Sequence, residues 1–109
     1  MKIENIPFAP IDWSKVPQTR HEGDSGFATW KTIQVGESRV RIVEYSPDYL
    51  ADHWCSKGHI ILVLEGELET ELADGRKFIM GPMSGYQVAD NGEAHRSATK
   101  NGAKLYIVD

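Results

Sequence analysis

The cleanest alternation of apolar and polar positions runs from Glu67 to Leu72. Leu68, Thr70 and Leu72 fall on one face, and Glu67, Glu69 and Glu71 on the other. A period of two marks a half-buried strand. Leu64, Leu68 and Leu72 are also four apart, and Glu and Leu are good helix formers. Three features decide for a strand. Gly66 interrupts any helix, Thr70 is β-branched, and Asp74-Gly75 is a strong two-residue hairpin turn. Arg76–Met80 then pairs back onto residues 67–73.

Other short β-rich segments follow the same plan from residue 27 onward. Phe27–Val35 ends at Gly36, and Arg39–Tyr45 stops at Ser46-Pro47-Asp48. Tyr86–Ala89, His95–Ala98 and Ala103–Val108 are the later strands, with turns at 81–85, 90–92 and 101–102. Strands at this spacing imply an all-β fold, a small antiparallel β-barrel or jelly roll. Residues 1–26 differ. Pro7, Pro10 and Pro17 break periodicity and 22–26 is a loop, so an irregular N-terminal arm is expected. Its Ile6, Phe8, Ile11 and Trp13 would pack on the barrel of residues 27–109. Asp12 is placed to cap a short turn over 13–16.

His59–Leu64 is almost continuously apolar, as in a strand covered on both faces. Ile60, Leu62 and Leu64 face away from His59, Ile61 and Val63, so one set fills the barrel and the other also needs cover. The arm or a second subunit would supply it, and a homodimer formed by sheet packing is expected.

Composition narrows the class. A chain of 109 residues is one domain, long enough for a core without disulfides. Its net charge of −4, with no basic run, argues against nucleic acid or an anionic membrane as partner. The single cysteine cannot form an intrachain disulfide, the N-terminus lacks the plan of a secretory signal, and no apolar run approaches the ~20 residues of a membrane helix. A cytoplasmic location is therefore expected.

One cluster points to chemistry. His53-Trp54-Cys55-Ser56-Lys57-Gly58-His59 is followed downstream by His95. His53 and Cys55 are two apart and share a face if the segment is extended, and His59 keeps that parity. Imidazole and thiolate together suit zinc, nickel, copper or iron.

The spacing of these residues resembles the cupin superfamily. The first cupin motif is Gly, five residues, His-x-His, three or four residues, Glu, six residues, Gly. Here Pro47 stands at the opening Gly, His53 at the first His, Cys55 at the second, His59 at the Glu and Gly66 at the closing Gly. The second motif is Gly, five residues, Pro-x-Gly, two residues, His, three residues, Asn. Gly92 and His95 fit it, with Asp90 for Pro, Thr99 for Asn and Ser84 or Gly85 at its head. Asp52-His53-Trp54-Cys55 together with His59 further resembles a small bacterial group of DHCW-motif cupins of unassigned activity. The resemblance spans about residues 27–109. It implies a two-sheet β-barrel holding a divalent metal through His53, Cys55, His59 and His95. Three imidazoles with one thiolate leave a divalent ion the same net charge as three imidazoles with one carboxylate. The softer thiolate moves the preference from iron or manganese towards zinc, copper or nickel.

Several alternatives stay open. Cys55 is either a ligand, a neighbour of the ligands or a nucleophile activated by nearby histidines. His21 reads as a solvated surface residue. Trp30, Tyr45, Trp54 and Tyr86 line a pocket or fill the core, and strand parity places Trp54 outside the metal cavity. Arg39 and Arg41 share a face, read as solvated rather than as an anion site. Glu44 is a general base if it points inward. The leading functional expectation is a metal-binding cupin of unassigned activity that acts on or binds a small organic molecule, and if an enzyme then a Lewis-acid isomerase or lyase, or an oxygenase. The others are a ligand-binding or sensor barrel with a structural metal, and a metal-free barrel.

Overall fold

The computed structural model describes residues 3–109. A 3-10 turn at Trp13–Lys15 precedes ten strands: β1 Gln18–Glu22, β2 Phe27–Val35, β3 Ser38–Tyr45, β4 Tyr49–Leu50, β5 His59–Gly66, β6 Leu68–Leu72, β7 Lys77–Met80, β8 Gly85–Val88, β9 His95–Thr99 and β10 Ala103–Val108. They form two antiparallel sheets. One has six strands in the order β1-β2-β3-β10-β5-β8, the other four in the order β4-β9-β6-β7. The sheets face each other as an all-β jelly roll whose barrel is not closed by continuous pairing. A single bridge, Ser25 to Leu50, links their edges beside the β1–β2 turn.

The alternating pattern becomes the core directly. Val43, Ile61, Val63, Leu68, Leu105 and Ile107 are buried between the sheets with Ala28 and Ala103. On β5 the set His59, Ile61 and Val63 points inward, while Ile60 and Leu64 remain exposed outside. Residues 68–72 are the expected strand, with Leu68 and Thr70 buried and the chain reversing at Asp74-Gly75 into β7. Gly66 leaves β5 with φ +77, and an added Cβ there would sit 2.2 Å from the Gly102 carbonyl oxygen. Gly85 lies closer still to β5, because its Cβ would meet the Ile61 oxygen at 1.8 Å. These two glycines let the β5–β6 turn and β8 close against their neighbours.

Two expectations change. Residues 18–22 are not irregular: they form β1, paired along its whole length with β2. Gln18–Glu22 is almost wholly polar and exposed, so an edge strand held by backbone pairing carries no apolar alternation to reveal it. Asp12 caps the 3-10 turn as expected, its Oδ1 accepting from the Ser14 amide at 3.1 Å. Residues 51–58, in contrast, are not a strand. They form a loop tied to β9 by the Ala51 amide on the Ser97 carbonyl and by an isolated bridge from Cys55 to His95.

Leu105 has no exposed surface and lies at the centre of the core. Leu105→Ala should cost about 2–5 kcal/mol in denaturant unfolding with little change in slope. Ile79→Ala, at a position 66% exposed, should stay within roughly 0.5 kcal/mol of wild type.

Candidate functional site

Register brings the first group of side chains together. β10 pairs with β3 on one side and β5 on the other, with Val108 opposite both Val40 and Ile60. One position further, Asp109 exchanges both backbone hydrogen bonds with Arg39. Arg39, Asp109 and His59 therefore form one inward row across three strands, at the mouth of the space between the sheets. The Asp109 side chain has no exposed surface. It accepts from Arg39 Nε at 2.9 Å and Arg41 Nη2 at 2.7 Å, and its Oδ2 lies 3.3 Å from His59 Nδ1. Burial by itself would raise the Asp109 pKa. The hydrogen bond from Arg39 and the charges of Arg41 and Arg39 outweigh it and hold the carboxyl at about 2.

The second group comes from the facing sheet. His95 opens β9 and is 2% exposed. Its backbone exchanges two hydrogen bonds with Cys55, at 2.7 and 3.0 Å, which pins the loop beside it. The loop is tied again by the Gly58 amide to Asp90 Oδ1 at 2.7 Å and the Asn91 amide to the Ser56 carbonyl at 2.8 Å. As a result Cys55 Sγ and a ring nitrogen each of His59 and His95 lie within 4.8 Å of one another.

Hydrogen-bond chemistry fixes the role of Nδ1 in both rings. His95 Nδ1 faces the Glu93 carbonyl oxygen at 2.9 Å. A carbonyl only accepts, so Nδ1 is the donor there, and in the neutral ring Nε2 carries the lone pair. His59 Nδ1 likewise faces an ionised carboxylate, leaving its Nε2 bare. Burial lowers the His59 pKa, the hydrogen bond to Asp109 opposes this, and the charge repulsion of His95 adds to it. The ring is neutral at pH 7. The two Nε2 atoms stand 2.7 Å apart, close enough that a proton or a metal ion must be shared by the pair, because two lone pairs at that distance repel. The donor set of two imidazoles and one thiol suits a soft or borderline divalent metal.

The structure brings Cys55, His59 and His95 together and leaves His53 apart. The His53 side chain is 72% exposed and its Nδ1 pairs with Asp52 at 2.6 Å. Parity would have turned it inward on a strand, but the chain bends at residues 52 and 53. The same bend overturns the placement of Trp54, which lines the cavity instead of lying outside it.

Other expectations also change. Arg39 and Arg41 are not a solvated face: both line the cavity, and Arg41 is 6% exposed. The signal was their shared parity with buried Val43. Glu44 points outward, towards Lys104 and Trp13 on the far side of the sheet, so it is no general base. His21 is half-buried and stacks on Trp30, with ring centroids 3.7 Å apart. Asp109 carried no signal in the sequence beyond being a carboxylate one step past an apolar strand.

The cavity holds about 320 Å³ and opens to solvent beside His53, Trp54 and Lys57. Tyr45 and Tyr49 stack within its wall, with centroids 4.2 Å apart. Burial raises the Tyr45 pKa, although a hydrogen bond with Ser97 works against it, so the phenol keeps its proton at neutral pH.

No family sequence model matches the chain, and no curated protein matches it in sequence. Solved structures do. The polyketide cyclase RemF from Streptomyces resistomycificus superposes with a TM-score of 0.76 at 24% identity, over 94% of this chain and 78% of that one. A predicted oxalate decarboxylase from Thermotoga maritima gives 0.77 at 14% identity, over 92% and 96%. An RmlC-like cupin from Shewanella frigidimarina gives 0.71 at 14%, over 96% and 88%. The chain has the cupin fold.

The buried Asp109 pairing makes stability depend on pH in a defined direction. Its folded pKa of about 2 lies below the ordinary 3.8. The stabilisation is therefore fully present above about pH 4 and is lost as pH falls through about 2. In the metal-free protein, Asp109→Asn should remove about 2 kcal/mol near neutral pH, a shift of nearly two units converted to free energy. The gap to wild type should narrow between about pH 4 and pH 2, read by urea unfolding at each pH.

Proposed function

We propose that this protein is a metal-binding cupin. Cys55, His59 and His95 hold one divalent transition ion, in a cavity that takes a small organic molecule. The observation that carries this reading is the convergence of Cys55 Sγ with the His59 and His95 Nε2 atoms, the latter 2.7 Å apart and held from behind by Asp109 and the Glu93 carbonyl. Second partners that orient ligand imidazoles in this way are the usual support of a metal site. The thiolate favours zinc, nickel or copper over iron.

Three protein donors beside an open cavity leave room for a further ligand, the arrangement of catalytic rather than structural ions. When bound, the ion would supply Lewis-acid polarisation of a ligand oxygen, or a site for dioxygen. The remaining work falls to the chain. Asp109 and the Glu93 carbonyl hold the imidazoles in their tautomers, Tyr45 keeps a proton available as a donor, and Trp54 and Lys57 narrow the mouth. With zinc as the ion, an isomerase or lyase is preferred to an oxygenase, because zinc has no redox chemistry. The structural likeness to a polyketide cyclase and to a predicted oxalate decarboxylase supports small-molecule chemistry in this fold.

A non-enzymatic sensor or ligand-binding barrel is the second reading. One observation favours it: the single carboxylate lining the cavity, Asp109, is committed to two arginines, so none is free to act as general base. The narrower likeness to the DHCW-motif group also stays a proposal, since this chain orders the last two letters as Trp54-Cys55.

Elemental mass spectrometry of the purified protein should find about one equivalent of metal per chain. His59→Ala and His95→Ala should lose it. Cys55→Ser should lower zinc affinity at least tenfold, and His53→Ala should keep its metal. A wild type that neither contains nor takes up zinc, nickel, copper or ferrous iron overturns the reading.

The outer face of β5 leaves Ile60 57% and Leu64 37% exposed, so we also propose a homodimer through this sheet. Light scattering should give twice the chain mass, and Ile60→Glu should give the monomer.

A further inference from the structure

The outer face of the six-stranded sheet is nearly as apolar as the face that lines the barrel. Register places Ile33, Val40, Val108 and Ile60 in one row across β2, β3, β10 and β5. A second row holds Lys31, Ile42, Tyr106 and Leu62. The row beside it, Trp30, Val43, Leu105 and Val63, faces the barrel, so by alternation both of the others face outward. Lys31 is the only charged residue in the two outward rows. Strands apolar on both sides belong to sheets that are covered on both sides.

The chain covers only part of this face with its own N-terminal arm. Ile6 reaches the β2–β3 turn, where its Cδ1 lies 3.5 Å from the place a Cβ on Gly36 would take. Further along, the Trp13 carbonyl accepts from Lys31 Nζ at 3.0 Å, and the Trp13 ring meets Tyr106 edge-on with centroids 6.5 Å apart. Between these two points the arm follows β2. It does not cover β5, where Ile60 and Leu64 stay exposed. Nor is the arm itself covered. Phe8 is 97% exposed, so its ring points away from the sheet beneath. A bare apolar ridge over β2 and a bare apolar strip on β5 thus lie side by side, three strand spacings or about 14 Å apart.

A two-fold axis makes each the cover of the other. Set parallel to the strands and level with the β3–β10 boundary, the axis lays β2 of one copy over β5 of the second and keeps every row at its own height. Phe8 is two residues from Ile6 and so lies towards the Gly36 end of β2, near the height of the row that holds Ile33 and Ile60. We infer that the occupant of the β5 face is the N-terminal arm of a second copy, with Phe8 of each chain packed on Ile60 and Leu62 of the other. The two arms then lie side by side between facing sheets. Ridge and strip belong to the same chain and match in chemistry and in place, which an isologous contact requires, and the contact closes without leaving either surface bare. The inference rests on the homodimer proposed above and gives the arm its part in it.

Light scattering of the full chain over a dilution series reads the contact. Phe8→Asp should raise the dimer dissociation constant at least tenfold, and the exposure of Phe8 keeps the fold out of the result. Ile79→Asp, at an exposed apolar position on the other sheet, should leave the constant unchanged. Cross-linking then reads the geometry. An equimolar mixture of Phe8→Cys and Ile60→Cys chains, left to exchange subunits, should form an interchain disulfide on mild oxidation. Neither variant alone should do so, because like residues stand about 14 Å apart across the axis. The wild type, with Cys55 alone, gives the background. A disulfide in Phe8→Cys alone overturns the inference. A dimer that Ile60→Glu dissociates and Phe8→Asp leaves intact also overturns it, while the homodimer through this sheet stands. A monomeric wild type overturns both.

Discussion

The buried carboxylate of Asp109 is the constraint around which the rest of the site is arranged. An ionised carboxylate with no exposed surface is expensive unless it is paired and hydrogen-bonded. Here the two strands that flank β10 supply the partners. β3 contributes both arginines, β5 contributes His59, and β10 carries the chain to Asp109 between them. The register of β10 with its two neighbours sets this alignment. A one-residue slip would turn the arginines outward and leave the carboxylate unpaired. Sheet pairing and site chemistry are thus a single requirement on the sequence.

The organisation of the site follows from that row. Asp109 accepts from His59 Nδ1 and so turns Nε2 to face His95 across the cavity. The same carboxylate accepts from Arg41 Nη2 and holds that side chain inward. The opposite sheet answers with His95, fixed by the Glu93 carbonyl, and with Cys55, fixed by two backbone hydrogen bonds to His95. The orientation of His59 and the burial of Arg41 are therefore two consequences of one electrostatic arrangement.

Much of this was visible in the sequence, for physical reasons that differ by element. β5, β6 and β10 bury one or both faces, so their apolar positions carry a period. The Asp74-Gly75 turn has a backbone requirement that few residue pairs meet. β1 has neither an apolar face nor a special turn, and only backbone pairing reveals it. Cys55, His59 and His95 were legible because ligating side chains are rare and their spacing was informative. His53 was placed by motif spacing and by parity, and the bend at residues 52 and 53 turns its side chain to solvent and onto Asp52. Arg39 and Arg41 look the same in sequence whether they face water or a buried counterion. The decisive partner, Asp109, lies some seventy positions away, and only the folded sheet brings them together.

X-ray absorption at the zinc edge of the zinc-loaded protein tests the central claim most directly. Two nitrogen donors at about 2.0–2.1 Å and one sulfur at about 2.3 Å, with a further light atom completing the shell, are the predicted coordination. A shell of oxygen and nitrogen alone, without sulfur, would contradict the assignment of Cys55. A shell of water oxygens, without imidazole scattering, would contradict the site itself.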